Sequence, residues 1–286
     1  MNNIRIFSLN TRGLRNKLKR RALFALFKEK RFDIICLQET HVTRKEAFIW
    51  EKEWGGRLFY NSGSEYSKGE IILMSKHFQG EITFVQHTNR VLIVSVKTQS
   101  LNFTIANVYA PNDSLEKRTF FNTLQNLLQG LDTCKLAVLG DFNTAVDKDL
   151  DIISGSPHNQ RDVNKLKEII TMLDLTDSWR VFNENEKEYT WCRHNPFTAR
   201  RIDYAFLGEE LHKICVSSDI MSVPHTDHRG LLTELCINNF IRGPGYWRFN
   251  NSFLKDQVFV QQFNDLIEKY INESKQLFAN EQHQWD

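Results

Sequence analysis

The sequence predicts a layered α/β fold in which mixed, largely antiparallel sheets are covered by helices. Short apolar runs rich in β-branched residues alternate with longer segments whose apolar residues recur at helical spacing. Some strand-like runs follow one another through very short links, as residues 91–98 and 101–109 do, and such pairs are typically antiparallel. Because strands and helices are intermixed, we expect helices packed outside the sheets rather than an all-parallel fold.

Ten segments carry the strand pattern and five carry the helix pattern. The predicted strands are residues 3–9, 33–38, 69–75, 81–86, 91–98, 101–109, 136–140, 188–193, 200–207 and 230–237. The predicted helices are residues 15–30, 42–53, 115–130, 162–174 and about 252–278. In the third helix we expect Ser114 to cap the start and Gly130 to end it, with an apolar face of Phe120, Leu124, Leu127, Leu128 and Leu131.

Composition narrows the class of protein without identifying it. The 286 residues are 41% hydrophobic and 25% charged, as in globular proteins, and the net charge of +2 neither requires nor excludes a nucleic-acid partner. No run of 18 apolar residues is present, and the chain enters a strand almost at once, so we expect neither a membrane span nor a secretion signal. The five scattered cysteines form no Cys-x-x-Cys pair, and we expect reduced core thiols in a cytosolic or nuclear protein.

The pattern changes near residue 238, which predicts a domain boundary there. Residues 1–238 carry the α/β pattern, whereas residues 239–286 begin with Asn, Gly and Pro and continue as one amphipathic helix. We expect a linker followed by a helix, in a chain cut from a longer protein. The predicted apolar face of that helix consists of Phe253, Phe259, Phe263, Ile267 and Ile271.

Polar residues follow or begin the predicted strands at six separate junctions. Taken singly, Gly140, Asp141 and Asn143 are most simply turn residues, and a lone histidine is most often structural. The repetition at six strand ends instead predicts one site at the rim of the sheets. The polar residues at these junctions are Asn10, Glu39, Tyr109, Asp141, Asn143, Asp203, Asp227 and His228.

This set of side chains is suited to phosphoryl chemistry. Carboxylates gathered in one cleft repel one another, and a divalent cation relieves that repulsion. Oxygen donors without cysteine favour a hard ion such as Mg²⁺. His228 adds an imidazole whose tautomer a carboxylate partner would fix, and the amides of Asn10 and Asn143 bind water or phosphate without adding charge. The metal and the imidazole would neutralise the transition state while water attacks phosphorus in line.

The ordered motifs SLNTRGL, LQETH, NVYAPN, GDFN, RRIDY and TDH resemble those of the endonuclease/exonuclease/phosphatase superfamily, over residues 1 to about 238. Within it, the chain is most similar to the endonuclease domain of LINE-type, non-LTR retrotransposon polyproteins. The resemblance implies a four-layered α/β sandwich with two mixed sheets flanked by helices. It also implies that the segment after residue 238 leads towards a reverse transcriptase domain that this chain lacks.

The resemblance assigns the metal site to three residues. Glu39 matches the principal metal-binding glutamate, Asn10 the asparagine that supports the metal and phosphate, and Asp227 a second metal-associated aspartate. Mg²⁺ is the expected ion, with Mn²⁺ substituting for it. One position departs from the apurinic endonucleases, which carry an aspartate where this chain has Arg12. An arginine cannot bind a metal but can reach a phosphate, so this departure weakens an abasic-site specificity.

The resemblance assigns catalysis to five residues. Tyr109 matches the tyrosine that contacts the scissile phosphate. Asp141 and Asn143 match the pair that orients the attacking water and the phosphate, and Asp203 matches the acid that pairs with the catalytic histidine, here His228. Which of the acids acts as the general base is open at this point.

Basic residues in two regions are the expected DNA contacts. We expect Arg12, Arg15 and Lys19 to share one helix face, which is equally well explained as a solvated face. The resemblance places a DNA-probing hairpin at residues 192–201 and a substrate-facing threonine just before it, and the hydroxyl of the TDH motif is expected beside the DNA. The expected contacts from these two motifs are Thr190, Arg193, Arg200, Arg201 and Thr226.

The function expected from all of this is a metal-dependent endonuclease acting in the nucleus. It would nick one strand of duplex DNA and leave a 3′-hydroxyl that primes reverse transcription at the target. Two alternatives stay open at this stage. One is a phosphatase acting on inositol or lipid phosphates, which shares the core motifs, and the other is a non-catalytic copy that only binds DNA or a partner helix.

Overall fold

The computed structural model describes residues 3–64, 66–155, 157–237 and 257–277. The chain divides into two compact units, Met1–Asn239 and Phe240–Asp286. The strands are β1 (Asn3–Asn10), β2 (Ile34–Gln38), β3 (Arg57–Asn61), β4 (Glu70–Met74), β5 (Glu81–Thr88), β6 (Val91–Lys97), β7 (Asn102–Tyr109), β8 (Leu136–Asp141), β9 (Ile152–Ile153), β10 (Thr176–Asp177), β11 (Trp191–His194), β12 (Phe197–Arg200), β13 (Asp203–Leu207), β14 (Cys215–Met221) and β15 (Gly230–Cys236). The helices are α1 (Lys17–Glu29), α2 (Arg44–Trp54), α3 (Ser114–Gln129), α4 (Gln160–Met172), α5 (Ser178–Phe182), α6 (Glu209–Ile214) and α7 (Gln257–Leu277).

Two six-stranded sheets form the centre of the first unit. The strand order is β14-β15-β1-β2-β4-β3 in one and β10-β13-β8-β7-β6-β5 in the other, and a small third sheet has the order β11-β12-β9. In the first sheet β1 and β2 are parallel, and in the second β7 and β8 are parallel, whereas the other pairs are antiparallel. The predicted mixed, largely antiparallel sheets are confirmed.

Alternation along the strands builds three apolar layers. Side chains such as Ile6, Leu92 and Leu139 form the core between the two large sheets. The opposite face of the first sheet packs on α1 and α2, and the opposite face of the second sheet packs on α3 and α4. The result is a helix–sheet–sheet–helix sandwich of four layers, as the resemblance implied, and central strands such as β2, β4 and β8 are buried throughout.

The structure corrects the predicted starts of two helices. Helix α1 begins at Lys17 with Asn16 as its N-cap, because the Asn16 side chain accepts from the backbone N–H groups of Leu18 and Lys19. Arg12 and Arg15 therefore precede the helix, and the predicted shared face of Arg12, Arg15 and Lys19 is wrong. Helix α3 is capped by Asp113 rather than Ser114, because the Ser114 hydroxyl donates to Asp162 at 2.8 Å.

Several strands were missed because their pattern is short or weak. Strand β3 starts with an exposed arginine, strand β14 lacks a continuous apolar run, and strands β9 and β10 contain two residues each. The predicted strand over 200–207 is split, because Arg200 ends β12 in the small sheet and Asp203 begins β13 in the large one. Of the five cysteines, all free, Cys36 is buried and Cys134 is exposed, so the expectation of core thiols holds only in part.

The second unit contains the amphipathic helix α7, Gln257–Leu277. The rings of Phe259 and Phe263 stack with their centroids 5.9 Å apart, as expected for residues one helical turn apart. Ile267 and Ile271, also predicted for that face, lie on the same helix, whereas Phe253 lies outside the described residues. Within the described part of the chain, no helix is both long enough and apolar enough to cross a membrane.

Glu70, fully buried at the start of β4, predicts a pH-dependent stability. Burial raises its pKa to about 8, although Asn61 donates to its Oε2 at 2.6 Å. The folded state therefore holds a proton that the unfolded state loses near pH 4.5, and stability falls as pH rises between these values. Glu70→Gln mimics the protonated acid, so we expect its melting temperature to equal that of the wild type at pH 5 and to be higher at pH 9. Each kcal/mol of difference in unfolding free energy corresponds to about 2–4 °C. The exposed Glu81→Gln on β5 is the control, and an equal effect of Glu70→Gln at both pH values would contradict this account.

Candidate active site

Strand register places three predicted residues side by side at one rim of the second large sheet. Tyr109 at the end of β7 pairs with Asp141 at the end of β8, and Asp141 pairs with Asp203 at the start of β13. In the first large sheet, Asn10 at the end of β1 pairs with Gln38, and Glu39 follows directly. The side chain of Asn10 joins the two sheets, because its Nδ2 donates to Glu39 Oε1 at 3.0 Å and to Asp141 Oδ2 at 2.8 Å.

The backbone leaves its usual region at the residues that follow these strands. Glu39 has φ 48° and Asn143 has φ 47°, in the left-handed region that residues with a side chain rarely adopt. Such conformations cost about 1–3 kcal/mol each and persist only where the surroundings enforce them. Gly140 is required before Asp141, because its φ is 139° and a Cβ there would lie 2.0 Å from the carbonyl oxygen of Val108. Strained backbone thus occurs at two residues that line the site.

Asp141 is a buried carboxylate with an unusual proton affinity. Its Oδ1 accepts from the backbone N–H of Asn143 at 2.8 Å, and its Oδ2 accepts from Asn10. Burial and the neighbouring charge of Asp203 raise its pKa to about 7, against the lowering effects of His228 and these hydrogen bonds. A carboxyl group with this pKa changes protonation state near neutral pH, which suits a general base.

His228 and Asp203 form a hydrogen-bonded pair beside it. The distance from His228 Nδ1 to Asp203 Oδ2 is 2.9 Å, and His228 Nε2 lies 4.0 Å from Asp141 Oδ2. Burial opposes a charge on the imidazole, but Asp203, Asp141 and Asp227 outweigh that effect and raise its pKa to about 9. Because Asp203 occupies Nδ1, the Nε2–H of the imidazolium is the group that faces the cleft.

Two predicted DNA contacts hold this pair in place. Thr190 is fully buried, and its hydroxyl oxygen accepts from the backbone N–H groups of Ile202 and Asp203, both at 3.1 Å. The hydroxyl of Thr226 donates to the carbonyl oxygen of Asn10 at 2.9 Å and accepts from the N–H of His228 at 3.2 Å. The prediction that Thr190 contacts DNA is therefore wrong, because its side chain is enclosed in the protein. Thr226 is half-buried, and its DNA contact stays a prediction.

The predicted DNA contact of Arg201 is also wrong. Its side chain is 2% exposed, and its guanidinium donates to Asp151 and, at 2.7 Å, to Asp177. It also stacks on the rings of Trp179 and Tyr204. An arginine enclosed in this way is part of the core and cannot bind a phosphate, although Arg200 beside it lines the cleft.

The polar rim opens into a cleft of about 300 Å³. Eight predicted site residues line it: Asn10, Arg12, Glu39, Asp141, Asn143, Arg200, Asp227 and His228. Four lining residues were not predicted, namely Asn112, His158, Trp191 and Ile202. Asn112 and Ile202 lie within the NVYAPN and RRIDY motifs, so their motifs carried a usable signal, whereas His158 lies between elements with no pattern to mark it. The structure thus brings the predicted metal and catalytic residues to one rim, where most of them line a single cleft.

Arg12 and Asp227 meet on one side of this cleft. Asp227 Oδ2 accepts from Arg12 at 3.2 Å and from the indole N–H of Trp191 at 3.2 Å. Arg12 is exposed, and a guanidinium in this place can exchange Asp227 for a phosphate. Of the other predicted basic contacts, Lys19 donates to the carbonyl oxygen of Thr11 at 2.5 Å. Its ammonium group is thus partly committed to the loop that carries Arg12.

The remaining predicted basic contacts lie at the surface. Arg15 is exposed and pairs with Glu46 at 3.0 Å. Arg193 is exposed on the hairpin formed by β11 and β12. Both side chains remain accessible to a phosphate, in contrast to Arg201.

The donor set fits a hard divalent cation. Asp141, Asp203 and His228 bring ligand-type atoms within 4.8 Å of one another, but a protonated imidazole bound to Asp203 offers no lone pair to a metal. The fit is better on the side of Glu39, Asn10 and Asp227, where oxygen atoms line the cleft. Within the described residues, Asp227 Oδ1 and Asp203 Oδ1 are buried without a hydrogen-bond partner, so the site carries negative charge that its own groups do not satisfy.

The sequence matches the model of the Endonuclease/Exonuclease/phosphatase family over residues 6–228. The Xenopus laevis "Transposon TX1 uncharacterized 149 kDa protein" is 30% identical over 268 residues, which are 91% of this chain and 20% of that protein. The chain therefore spans about a fifth of the length of this relative.

Two solved structures share the fold. AP endonuclease LMAP from Leishmania major superposes with a TM-score of 0.71 and 18% identity, covering 82% of this chain and 87% of that one. The endonuclease domain of TRAS1, described as a telomere-specific non-LTR retrotransposon, superposes with a TM-score of 0.64 and 16% identity, covering 82% and 99%.

The two hydrogen bonds that Thr190 accepts predict a structural effect of its mutation. We expect Thr190→Val to destabilise the protein by about 1–3 kcal/mol, because two buried N–H groups lose their acceptor. Thr190→Ser keeps the hydroxyl and is the matched control, with stability close to the wild type. Thermal unfolding measures both. A Thr190→Val protein of unchanged melting temperature but with weaker DNA affinity would restore the discarded reading of this residue as a DNA contact.

Proposed function

The chain belongs to the Endonuclease/Exonuclease/phosphatase family, and on that premise we propose that it is a divalent-metal-dependent endonuclease that nicks one strand of duplex DNA. The observation that carries this proposal is the pairing of His228 with Asp203, with the free edge of the imidazole turned towards Asp141. Asn10 joins this group to Glu39 on the other sheet. Acid, imidazole and amide donors in one cleft match what hydrolysis of a phosphodiester requires.

The proposed reaction divides between the two buried ionisable groups. Asp141 accepts the proton of the attacking water, because its pKa of about 7 lets it hold that proton only transiently near neutral pH. The bond between phosphorus and the 3′-oxygen breaks, and the leaving 3′-oxygen takes a proton from water. His228 stays protonated, because its pKa is about 9, and its Nε2–H donates to an oxygen of the phosphate as charge develops there. Asp203 keeps the imidazole in the required orientation.

Neutral donors complete the proposed phosphate site. Burial and the charges of Glu39 and Asp141 raise the pKa of Tyr109 far above its usual value, so its phenol stays protonated and donates a hydrogen bond. Asn143 lies at the cleft with its own Nδ2 donating to the carbonyl oxygen of Ala110 at 2.8 Å, which holds the loop after β8. Lys117 supports the same loop from behind, because its Nζ donates to the carbonyl oxygen of Asn143 at 2.7 Å.

Glu39, with Asn10 and Asp227 beside it, would hold the cation. Mg²⁺ is the proposed ion, with Mn²⁺ as its substitute, because both accept carboxylate and amide oxygens. When bound, the ion supplies positive charge that polarises the phosphate and relieves the repulsion among the carboxylates. The chain's own contribution is to place Glu39, through its strained backbone, opposite Asp141 across the Asn10 bridge.

The proposed substrate is duplex DNA, and the proposed role is target-primed reverse transcription. Arg12, Arg15, Arg193 and Arg200 are the basic side chains near or around the cleft that remain suited to phosphates, so affinity should fall steeply with salt. The relatives named for transposons motivate the biological role: a nick with a 3′-hydroxyl primes a reverse transcriptase domain of the same polyprotein. Action on chromosomal DNA would place the protein in the nucleus.

Nicking of supercoiled plasmid tests the proposed chemistry. We expect His228→Ala to lower the nicking rate by about 10²-fold or more, because the transition state loses its charged donor. The exposed His87→Ala on β5 is the matched control and should nick at the wild-type rate. Extension of the nicked product by a DNA polymerase tests for the 3′-hydroxyl. Equal rates for wild type and His228→Ala would reject the mechanism, and hydrolysis of soluble phosphomonoesters without nicking would favour the phosphatase alternative.

Removal of one carboxylate tests the metal site. We expect EDTA to abolish nicking and Mg²⁺ or Mn²⁺ to restore it. Glu39→Gln should weaken Mn²⁺ binding at least about 10-fold in calorimetry, because the site loses a charged ligand. Glu46→Gln, in the Arg15 pair outside the cleft, is the control. Unchanged Mn²⁺ affinity in Glu39→Gln would remove Glu39 from the proposed site.

A further inference from the structure

A histidine and an arginine meet in the lining of the cleft. His158, in the segment between β9 and α4, and Arg200, at the end of β12, both line the cleft. A guanidinium nitrogen of Arg200 lies 3.1 Å from His158 Nε2. Because a guanidinium can only donate, His158 Nε2 must accept and the ring is neutral with its proton on Nδ1. The histidine therefore positions the arginine rather than competing with it for a negative partner.

The charges around this pair indicate what it is arranged to bind. Burial and the cations Arg200 and Lys117 lower the pKa of His158 to about 4. Burial and Arg193 likewise lower the pKa of Arg200. Burial is the larger cause of both pKa shifts, and the charged neighbours that add to it are cations, which repel one another. An anion bound beside Arg200 would offset the repulsion among these cations.

From this arrangement we infer that His158 and Arg200 form a second phosphate subsite, which binds the phosphodiester adjacent to the scissile one on the nicked strand. Arg200 donates to that phosphate, and His158 is a positioning residue that holds the guanidinium at the cleft. A nucleic-acid strand brings a phosphate with every nucleotide, so a strand with its scissile phosphate at Asp141 and His228 continues over a neighbouring wall. This inference rests on the proposed function, because it assumes a DNA strand in the cleft.

The backbone around the pair supports a built subsite rather than a pair of surface side chains. Arg200 is held in the small sheet, because β12 pairs on one side with β11 and on the other with β9, where Arg200 faces Ile152. The adjacent Arg201 is locked into the core by Asp151 and Asp177. Since one arginine of the pair is anchored inward, its neighbour on the strand is directed to the cleft.

Chemical removal of single phosphate charges tests the subsite. Duplexes that carry one neutral methylphosphonate at each position near the nick are compared for wild type, Arg200→Ala, His158→Ala and His158→Gln. For the wild type we expect one position adjacent to the scissile phosphate at which neutralisation lowers nicking about tenfold, the size of one charge-assisted hydrogen bond. Arg200→Ala should nick unmodified DNA about tenfold more slowly than the wild type does. The methylphosphonate at that position should then change its nicking rate by no more than about twofold.

The histidine variants separate positioning from bulk structure. In His158→Ala the methylphosphonate should slow nicking less than it does in the wild type, but more than it does in Arg200→Ala. His158→Gln keeps an acceptor for Arg200 and should respond as the wild type does. The exposed Arg161→Ala, at the start of α4, is the matched control and should retain the full methylphosphonate effect. Melting temperatures establish that each variant is folded, and Arg200→Lys replaces Arg200→Ala if the latter is not.

The same duplexes in EDTA, followed by fluorescence anisotropy, give a readout that does not need catalysis. For Arg200→Ala we again expect that the methylphosphonate no longer weakens DNA binding. Equal sensitivity of wild type and Arg200→Ala at every position, in nicking and in binding, would overturn the subsite while leaving the endonuclease proposal intact. Absence of nicking by the wild type with a retained binding effect would instead overturn the proposed function alone.

Discussion

Asp141 and Asp203 lie side by side on neighbouring strands, buried, and the rest of the site is arranged around the repulsion between them. Two adjacent carboxylates inside a protein cannot both ionise without compensation. His228 compensates Asp203 directly at 2.9 Å, and Asn10 and the N–H of Asn143 compensate Asp141. The pKa values of both Asp141 and His228 are nevertheless raised, because the negative charge of the carboxylates is only partly compensated. In the proposed function, a cation beside Glu39 and a phosphate beside His228 would complete the compensation.

Holding these groups in place requires two sheets that do not slide. Buried polar contacts join the sheets behind the rim: Gln38 donates to Asn107 Oδ1 at 2.7 Å, and Asn107 Nδ2 donates to the carbonyl oxygens of Leu37 and Ile71. A shift of one residue in any of these strands would leave the amides unpaired and would turn the apolar side chains to the wrong face. The same register that satisfies the amides places Asn10 between Glu39 and Asp141. The fold and the site are therefore specified by one set of contacts.

The site was predictable to the extent that its residues lie at the ends of regular strands. An apolar run followed by Asp141 or Glu39 is visible in the sequence, and the parallel pairs β1–β2 and β7–β8 bring such ends together. The sequence did not show which groups a side chain on a loop or at a strand edge contacts. Thr190 and Arg201 read as DNA contacts because their partners, such as Ile202 or Asp151, depend on the tertiary fold. His158 escaped notice for the same reason, since its partner Arg200 is 42 positions away.

Two consecutive arginines show how little residue type alone decides. Arg200 and Arg201 have the same side chain and adjacent positions, yet one lines the cleft and the other is enclosed by two aspartates and two aromatic rings. Burying Arg201 is tolerable only because Asp151 and Asp177 both accept from it, since a buried unpaired guanidinium would be strongly destabilising. That enclosed ion pair anchors the point at which the chain crosses from the small sheet into β13, which begins at Asp203. Arg201 thus acts on the site indirectly, because it fixes the point at which β13 begins with Asp203. The position of Asp203 in turn determines the orientation of the His228 imidazole, whose Nδ1 it binds.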